Sequence, residues 1–277
     1  MVQKLTEIHK IQNYFIKLLF LSFLFCILLF ENVLCQSNIK LNLSVGAGTY
    51  FAILSKGFLE EYNILVGGKK EEFMHQFSPN IGLYISWDSN YSVSLGASSI
   101  KFKLQENFIK ETFTGSNLYR LLLEDMNITT APIYLSIKFT DYSIKYRSFL
   151  QIGAGVAYSY VEWKESVNSP IPNDIRIGGT IFANKSYYPT MSSKIGVELL
   201  FDRESVPKFI NGINLTADIV YIARYEKIFN KLIKQHYNNY QAFSEKHAII
   251  PFMFGLNIGI ILNLDNEKVN RIFGSNI

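Results

Sequence analysis

Apolar residues recur at every second position along this chain, in segments of about ten, and no other feature limits its fold so sharply. Successive side chains of a strand point to opposite faces, so each segment presents one apolar and one non-apolar surface. Eight such segments can be read. The first sets Ile39, Leu41, Leu43, Val45 and Ala47 against Lys40, Asn42, Ser44, Gly46 and Gly48. The second sets Ile81, Leu83, Ile85 and Trp87 against Gly82, Tyr84 and Ser86. The third carries Tyr91, Val93, Leu95 and Ala97, then resumes as Ile100, Phe102 and Leu104, and this jump in parity at Ser98-Ser99 predicts a bulge. The remaining five have their apolar sets beginning at Ala131, Leu150, Ile195, Ile213 and Phe252.

A helix needs about 20 apolar residues to cross a bilayer, and no run beyond the N-terminal region reaches that length. The stretch Leu18–Phe30 follows Lys4, Lys10 and Lys17 and has the length of a signal-peptide core. Val33-Leu34-Cys35 offers a cleavage site before Gln36. Residues 1–35 are therefore expected to be a signal peptide, 36–264 an outer-membrane β-barrel and 265–277 a periplasmic tail. Acylation of Cys35 is the rival reading, and bulky Leu34 stands against it. Two cysteines exclude a disulfide scaffold, and a net charge of +4 from 27 basic and 23 acidic residues excludes a nucleic-acid coat.

The connections alternate in length. Asp88-Ser89-Asn90 joins the second and third segments, about eight and eleven residues join the fourth to fifth and sixth to seventh, and the other four links exceed twenty. Short turns at one end and long loops at the other are the habit of outer-membrane barrels, with both chain ends in the periplasm. Alternation alone also fits a soluble carrier barrel. The second face decides: it is mainly Gly, Ser, Asn and Ala, and it takes nine of the 17 glycines. A narrow lumen crowded with side chains accounts for so much glycine, which leaves the apolar face to lipid. Trp87, Tyr91, Phe139, Phe149 and Phe201 at one set of strand ends, and Tyr50, Tyr158, Tyr160, Trp163 and Tyr221 at the other, are expected to form two aromatic girdles. The expected fold is all-β: an eight-stranded antiparallel up-and-down transmembrane β-barrel.

The stretch Ala131-Pro132-Ile133-Tyr134-Leu135-Ser136-Ile137-Lys138-Phe139, then a turn, then Phe149-Leu150-Gln151-Ile152-Gly153-Ala154-Gly155, resembles the small outer-membrane β-barrel family of Bacteroidetes-like bacteria. Members of that family are similar to the OmpA, OmpX and PorT-like barrels. The resemblance implies an eight-stranded barrel in the bacterial outer membrane and says little about activity. Many such chains end on an aromatic residue that closes the last strand; here the tail Asp265–Ile277 follows instead.

Charges on the second face, Lys40, Lys138, Lys194, Glu198 and Asp218, are expected to form a lumenal ion-pair network, since charges in so narrow a space must be paired. The fourth long loop is basic, and Arg224, Lys227, Lys231 and Lys234 are candidates to contact lipopolysaccharide phosphates. Leu118, Leu121, Leu122 and Leu123 form an apolar cluster in the second loop: a partner-binding patch or the loop's own packing. His75, His236 and His247, with Ser78 and Ser244 near two of them, are the only residues an enzyme reading could use, and they follow no catalytic spacing. No catalytic site, metal site or cofactor is expected. Asn42 and Asn214 match glycosylation triplets by chance, inside strands facing the lumen. The expected partners are outer-membrane lipid and lipopolysaccharide, the barrel assembly machinery and an extracellular protein held by the long loops; nucleic acid is not among them. The reading is of a non-enzymatic structural or surface-binding protein, with a lipid A-modifying enzyme and a soluble periplasmic carrier barrel as alternatives.

Overall fold

The structure, a computed structural model, describes residues 40–66, 68–86, 90–112, 119–142, 146–170, 178–201, 207, 209–223 and 250–264. The expected signal peptide and tail lie outside the described residues. In chain order the elements are β1 (Lys40–Ile53), α1 (Lys56–Val66), β2 (Met74–His75), β3 (Phe77–Ser86), β4 (Tyr91–Ser98), β5 (Ile100–Thr112), β6 (Tyr119–Tyr142), β7 (Tyr146–Asn168), β8 (Gly179–Leu200), β9 (Ile210–Ile222) and β10 (Phe252–Asn263). Every pairing is antiparallel. The ring runs β1-β3-β4-β6-β7-β8-β9-β10 and closes on β1, an eight-stranded barrel with β5 continuing the course of β4 beside β6.

β6 and β7 keep one register from Leu121↔Asn168 to Tyr142↔Arg147. β4 and β5 likewise share one register on β6, from Tyr91↔Phe139 through Ala97↔Ile133 and Ile100↔Thr130 to Glu106↔Glu124. The bulge expected at Ser98-Ser99 therefore does not form. Only Ser99 leaves the ladder, its N–H going to the Pro79 carbonyl at 3.0 Å, and the first register shift comes later, between Glu106 and Ile109. With parity unbroken, Ile100, Phe102 and Leu104 turn inward and are buried.

The reason is an exchange of polarity between the two faces. Toward the short-turn end of β6, Ile133, Ile137 and Phe139 point outward and are exposed, while Ser136 and Lys138 are buried inside. Beyond Thr130 the same strand buries Ile128 and Met126 inside and turns Thr129, Asn127 and Asp125 outward. β7 does the same: Leu150, Ile152 and Val156 face out below, and Val161 and Trp163 face in above, beside outward Glu162 and Lys164. An exterior in lipid must be apolar and an exterior in water need not be, so the exchange marks where the strands leave the bilayer. From Leu150 to Tyr158 the strand climbs about 26 Å along its own axis, or about 20 Å along the barrel axis at the usual tilt, which matches a lipid-facing band.

Two of the four long links are thus largely strand. Only 113–118 separate β5 from β6, and 169–178 separate β7 from β8. β5–β8 form a tall wall on one side, and the strands opposite stop short. The aromatic expectation holds for Tyr91 and Phe139, whose exposed rings meet edge-on 5.8 Å apart, and for outward Phe201, Tyr158, Tyr160 and Tyr221. It fails for Phe149, Tyr50 and Trp163, which point inward and are buried; Trp87 lies outside the described residues.

The two zones of the exterior predict opposite tolerance to charge. Ile152→Arg, in the lipid belt, is expected to destabilise the folded barrel by about 2–4 kcal/mol, whereas Asn127→Arg, on the exterior above the exchange, stays within about 0.5 kcal/mol. Denaturant titration in lipid vesicles, followed by tryptophan fluorescence, measures both.

Candidate functional site: the packed lumen and its capped outer mouth

The lumen at membrane depth is built from inward residues of neighbouring strands. Lys138 of β6 and Glu198 of β8 are buried and form an ion pair across the intervening β7. The Lys138 ammonium also lies over the rings of Phe149, 4.2 Å from its centroid, and Tyr84, at 4.9 Å. Nearer the long-loop end, Lys194 of β8 sits 3.4 Å from Asp218 of β9, and the Tyr50 hydroxyl donates to the same carboxylate at 3.0 Å. Four of the five charges expected in the network are therefore gathered into two pairs. Lys40 is not: it is exposed at the first residue of β1, where the wall ends and water replaces the partner.

Amides and hydroxyls fill the rest. Gln151 Nε2 donates to Ser94 Oγ at 3.0 Å, Asn214 Nδ2 to Ser44 Oγ at 2.9 Å and Asn80 Nδ2 to Asn257 Oδ1 at 3.1 Å. Glycine gives the large rings their room: a Cβ on Gly196 would stand 2.7 Å from Phe149 Cζ, and one on Gly255 would meet the Tyr50 ring. Among the described residues, two spaces in the lumen hold about 40 and 50 Å³, room for one or two waters each. Lipid outside and a filled polar interior inside admit one architecture. The chain is a transmembrane β-barrel of the outer-membrane type.

No family model and no curated protein matches the sequence. Three solved chains of similar shape are the attachment invasion locus protein Ail of Yersinia pestis, the same protein in complex with the heparin analogue sucrose octasulfate, and the Neisserial surface protein A. Ail is 9% identical, with 81% of this chain and 97% of that chain covered and a TM-score of 0.35. Its complex gives 9%, 82%, 98% and 0.36, and the Neisserial protein 9%, 81%, 96% and 0.40.

Above the polar lumen lies an apolar plug. α1 starts after Leu54, a left-handed residue at φ 58° that turns the chain sharply off β1. Its Phe58, Leu59 and Tyr62 are buried, and Lys56 and Glu60 face water. This face packs on Phe73, on Ile100, Phe102 and Leu104 of β5, on Met126 and Ile128 of β6 and on Val161 and Trp163 of β7. The Trp163 indole N–H donates to buried Glu124 at 2.6 Å, and the Tyr62 ring lies 5.4 Å from the indole. Burial, with Glu124 nearby, pushes the Tyr62 phenol well above its ordinary value. α1 falls within the first long link, where Phe58 and Tyr62 stand one helical turn apart with Glu60 on the far side.

The remaining candidates separate in space. Arg224, Lys227, Lys231 and Lys234, with His236, Ser244, His247 and Leu118, lie outside the described residues. Leu122 is buried on the inner face of β6, and Leu121 and Leu123 flank it on the outer face. His75 lies against the Phe51 ring at 4.6 Å, and buried Ser78 gives its hydroxyl to the Gln76 carbonyl, so no base addresses that nucleophile. Asn214 is inside the lumen and Asn42 lines its short-turn mouth.

Removing one member of the inner pair leaves a buried charge alone. Lys138→Met or Glu198→Met is expected to cost about 3–5 kcal/mol, and the double variant to recover most of it, in equilibrium unfolding from vesicles. Tyr62 carries a pH dependence. Its folded pKa is raised above the unfolded 10.0, so stability is full below pH 10 and falls as pH rises above it. Tyr62→Phe is expected to reduce that alkaline loss in thermal melts while leaving neutral-pH stability within about 0.5 kcal/mol.

Proposed function

We propose that this chain is a non-enzymatic protein of the bacterial outer membrane, structural or surface-binding, that acts through its outer face and not through its lumen. One observation carries the reading: the passage is closed twice, by paired side chains at membrane depth and by the α1 plug above, while the tall wall of β5–β8 stands free of the bilayer. A carrier barrel needs an interior that holds its cargo, and spaces of about 40–50 Å³ hold none. A small outer-membrane barrel of the Bacteroidetes-like type suits the chain, with outer-membrane lipid, lipopolysaccharide and the barrel assembly machinery as its surroundings and an extracellular protein as its partner. A lipid A-modifying activity has no support among the described residues, whose serine and histidine side chains assemble no nucleophile and base.

Fractionation of cells expressing the chain is expected to place it in the outer membrane, with heat-modifiable mobility on gels. In planar bilayers it is expected to pass almost no current, and a deletion strain to keep its lipid A mass spectrum unchanged. A soluble periplasmic product would overturn the membrane reading; steady single-channel current would overturn the closed lumen.

A further inference from the structure

The two small spaces of the lumen differ in charge balance. The one of about 40 Å³ is lined by Lys194 and Asp218, one cation against one carboxylate. The one of about 50 Å³, near the short-turn end, has Lys138, Arg147 and Glu198 in its wall, two cations against one carboxylate. No second carboxylate lines it among the described residues.

Glu198 is shared. Lys138 forms the buried ion pair with it and is held in place by the rings of Phe149 and Tyr84. Arg147 of β7 stands directly opposite Glu198 in the β7–β8 ladder. Since the Lys138–Glu198 pair is neutral as a unit, the guanidinium leaves one positive charge over in the wall of this space. A lumen surrounded by lipid screens such an excess poorly, and a small anion drawn from the adjoining water offsets it.

The lining suits that occupant. β7 lies four strands from β1 in either direction round the ring, so Arg147 and Asn42 address the space from opposite sides. A guanidinium carries five N–H donors, and Asn42, Ser92, Thr140 and Asn211 add amide or hydroxyl groups able to donate to an anion. Arg147 is the second residue of β7, so the water beyond the strand ends is close by. A volume of about 50 Å³ admits an ion of about the size of water and refuses a bulky organic anion.

We propose that this space binds a small monovalent anion of chloride's size, held by Arg147 and the amide and hydroxyl groups around it. The anion completes the charge balance of the lumen at its short-turn end. This site needs only the closed barrel and goes beyond the surface role proposed above. It also links stability to chloride, because a ligand that binds only the folded chain stabilises it in a saturable way that screening by salt does not reproduce.

The test uses the full chain refolded into zwitterionic detergent micelles, with chloride as the probe and gluconate, too large for the space, holding ionic strength constant. Chloride NMR linewidth reads the bound ion, and urea midpoints read the linked stability. The wild type is expected to broaden the chloride line beyond protein-free micelles and to gain stability saturably as chloride replaces gluconate. Arg147→Gln is expected to weaken the affinity about tenfold and Arg147→Lys by less, whereas Glu198→Gln, which removes the competing negative charge, strengthens it about tenfold. A merely structural disturbance of the space weakens binding in all three. Absence of excess broadening in the wild type overturns the site, as does equal binding by wild type and Arg147→Gln, or weaker binding by Glu198→Gln. A heat-modifiable band certifies each variant as folded; where Arg147→Gln shows none, the wild type and Glu198→Gln decide.

Discussion

The closed backbone ladder governs everything else in this protein. In hydrocarbon an unpaired N–H or C=O costs several kcal/mol, so a sheet crosses lipid only when its last strand pairs with its first. Here β10 closes on β1 from Asn42↔Asn263 to Ile53↔Phe252, and the eight strands so joined set a lumen too narrow for free water. That width brings Lys138 onto Glu198 and Lys194 onto Asp218. It also demands glycine where Phe149 and Tyr50 lay their rings across the interior. Each of these polar contacts is obligatory once the ring has closed, because a charge sealed inside finds compensation only in its neighbour.

Unbroken register has a second effect. Along β6 and β7 the side chains alternate without a slip from the lipid belt into the aqueous zone, so the apolar set cannot stay on one face. It changes sides at the membrane surface. The inward apolar residues that result, with no lipid to meet, become the floor on which α1 settles. The plug therefore follows from the strands being longer than the bilayer is thick, and it is the short opposite wall that leaves α1 space to reach it.

The two-residue period and the glycine-rich second face were enough to read the ring of strands and the direction of its apolar face. What escaped was the point of exchange. Ile100, Phe102 and Leu104 break parity with Leu95 and Ala97, and a bulge is the local way to reconcile them; the actual cause is a change of solvent outside, which a strand pattern does not carry by itself. The same blindness put Tyr50, Phe149 and Trp163 in the girdles, since an aromatic at a strand end looks alike whether it faces lipid or lumen. Asp125, Asn127 and Thr129 alternating with Met126 and Ile128 did hold the signal, as a mirror image of Ile133–Phe139. Lys40 stands apart from the other lumenal charges because a strand terminus, unlike its middle, opens to bulk water.

From Ala131 to Tyr119 the exterior of β6 continues past the girdle by a length that lifts its tip about 30 Å above that girdle. Because the same hydrogen-bonded strand runs down to Tyr142, that tip is rooted at the short-turn end of the barrel. Such a mast holds its summit at a fixed altitude and bearing. A neighbour that meets the cell there touches something braced by the whole thickness of the membrane.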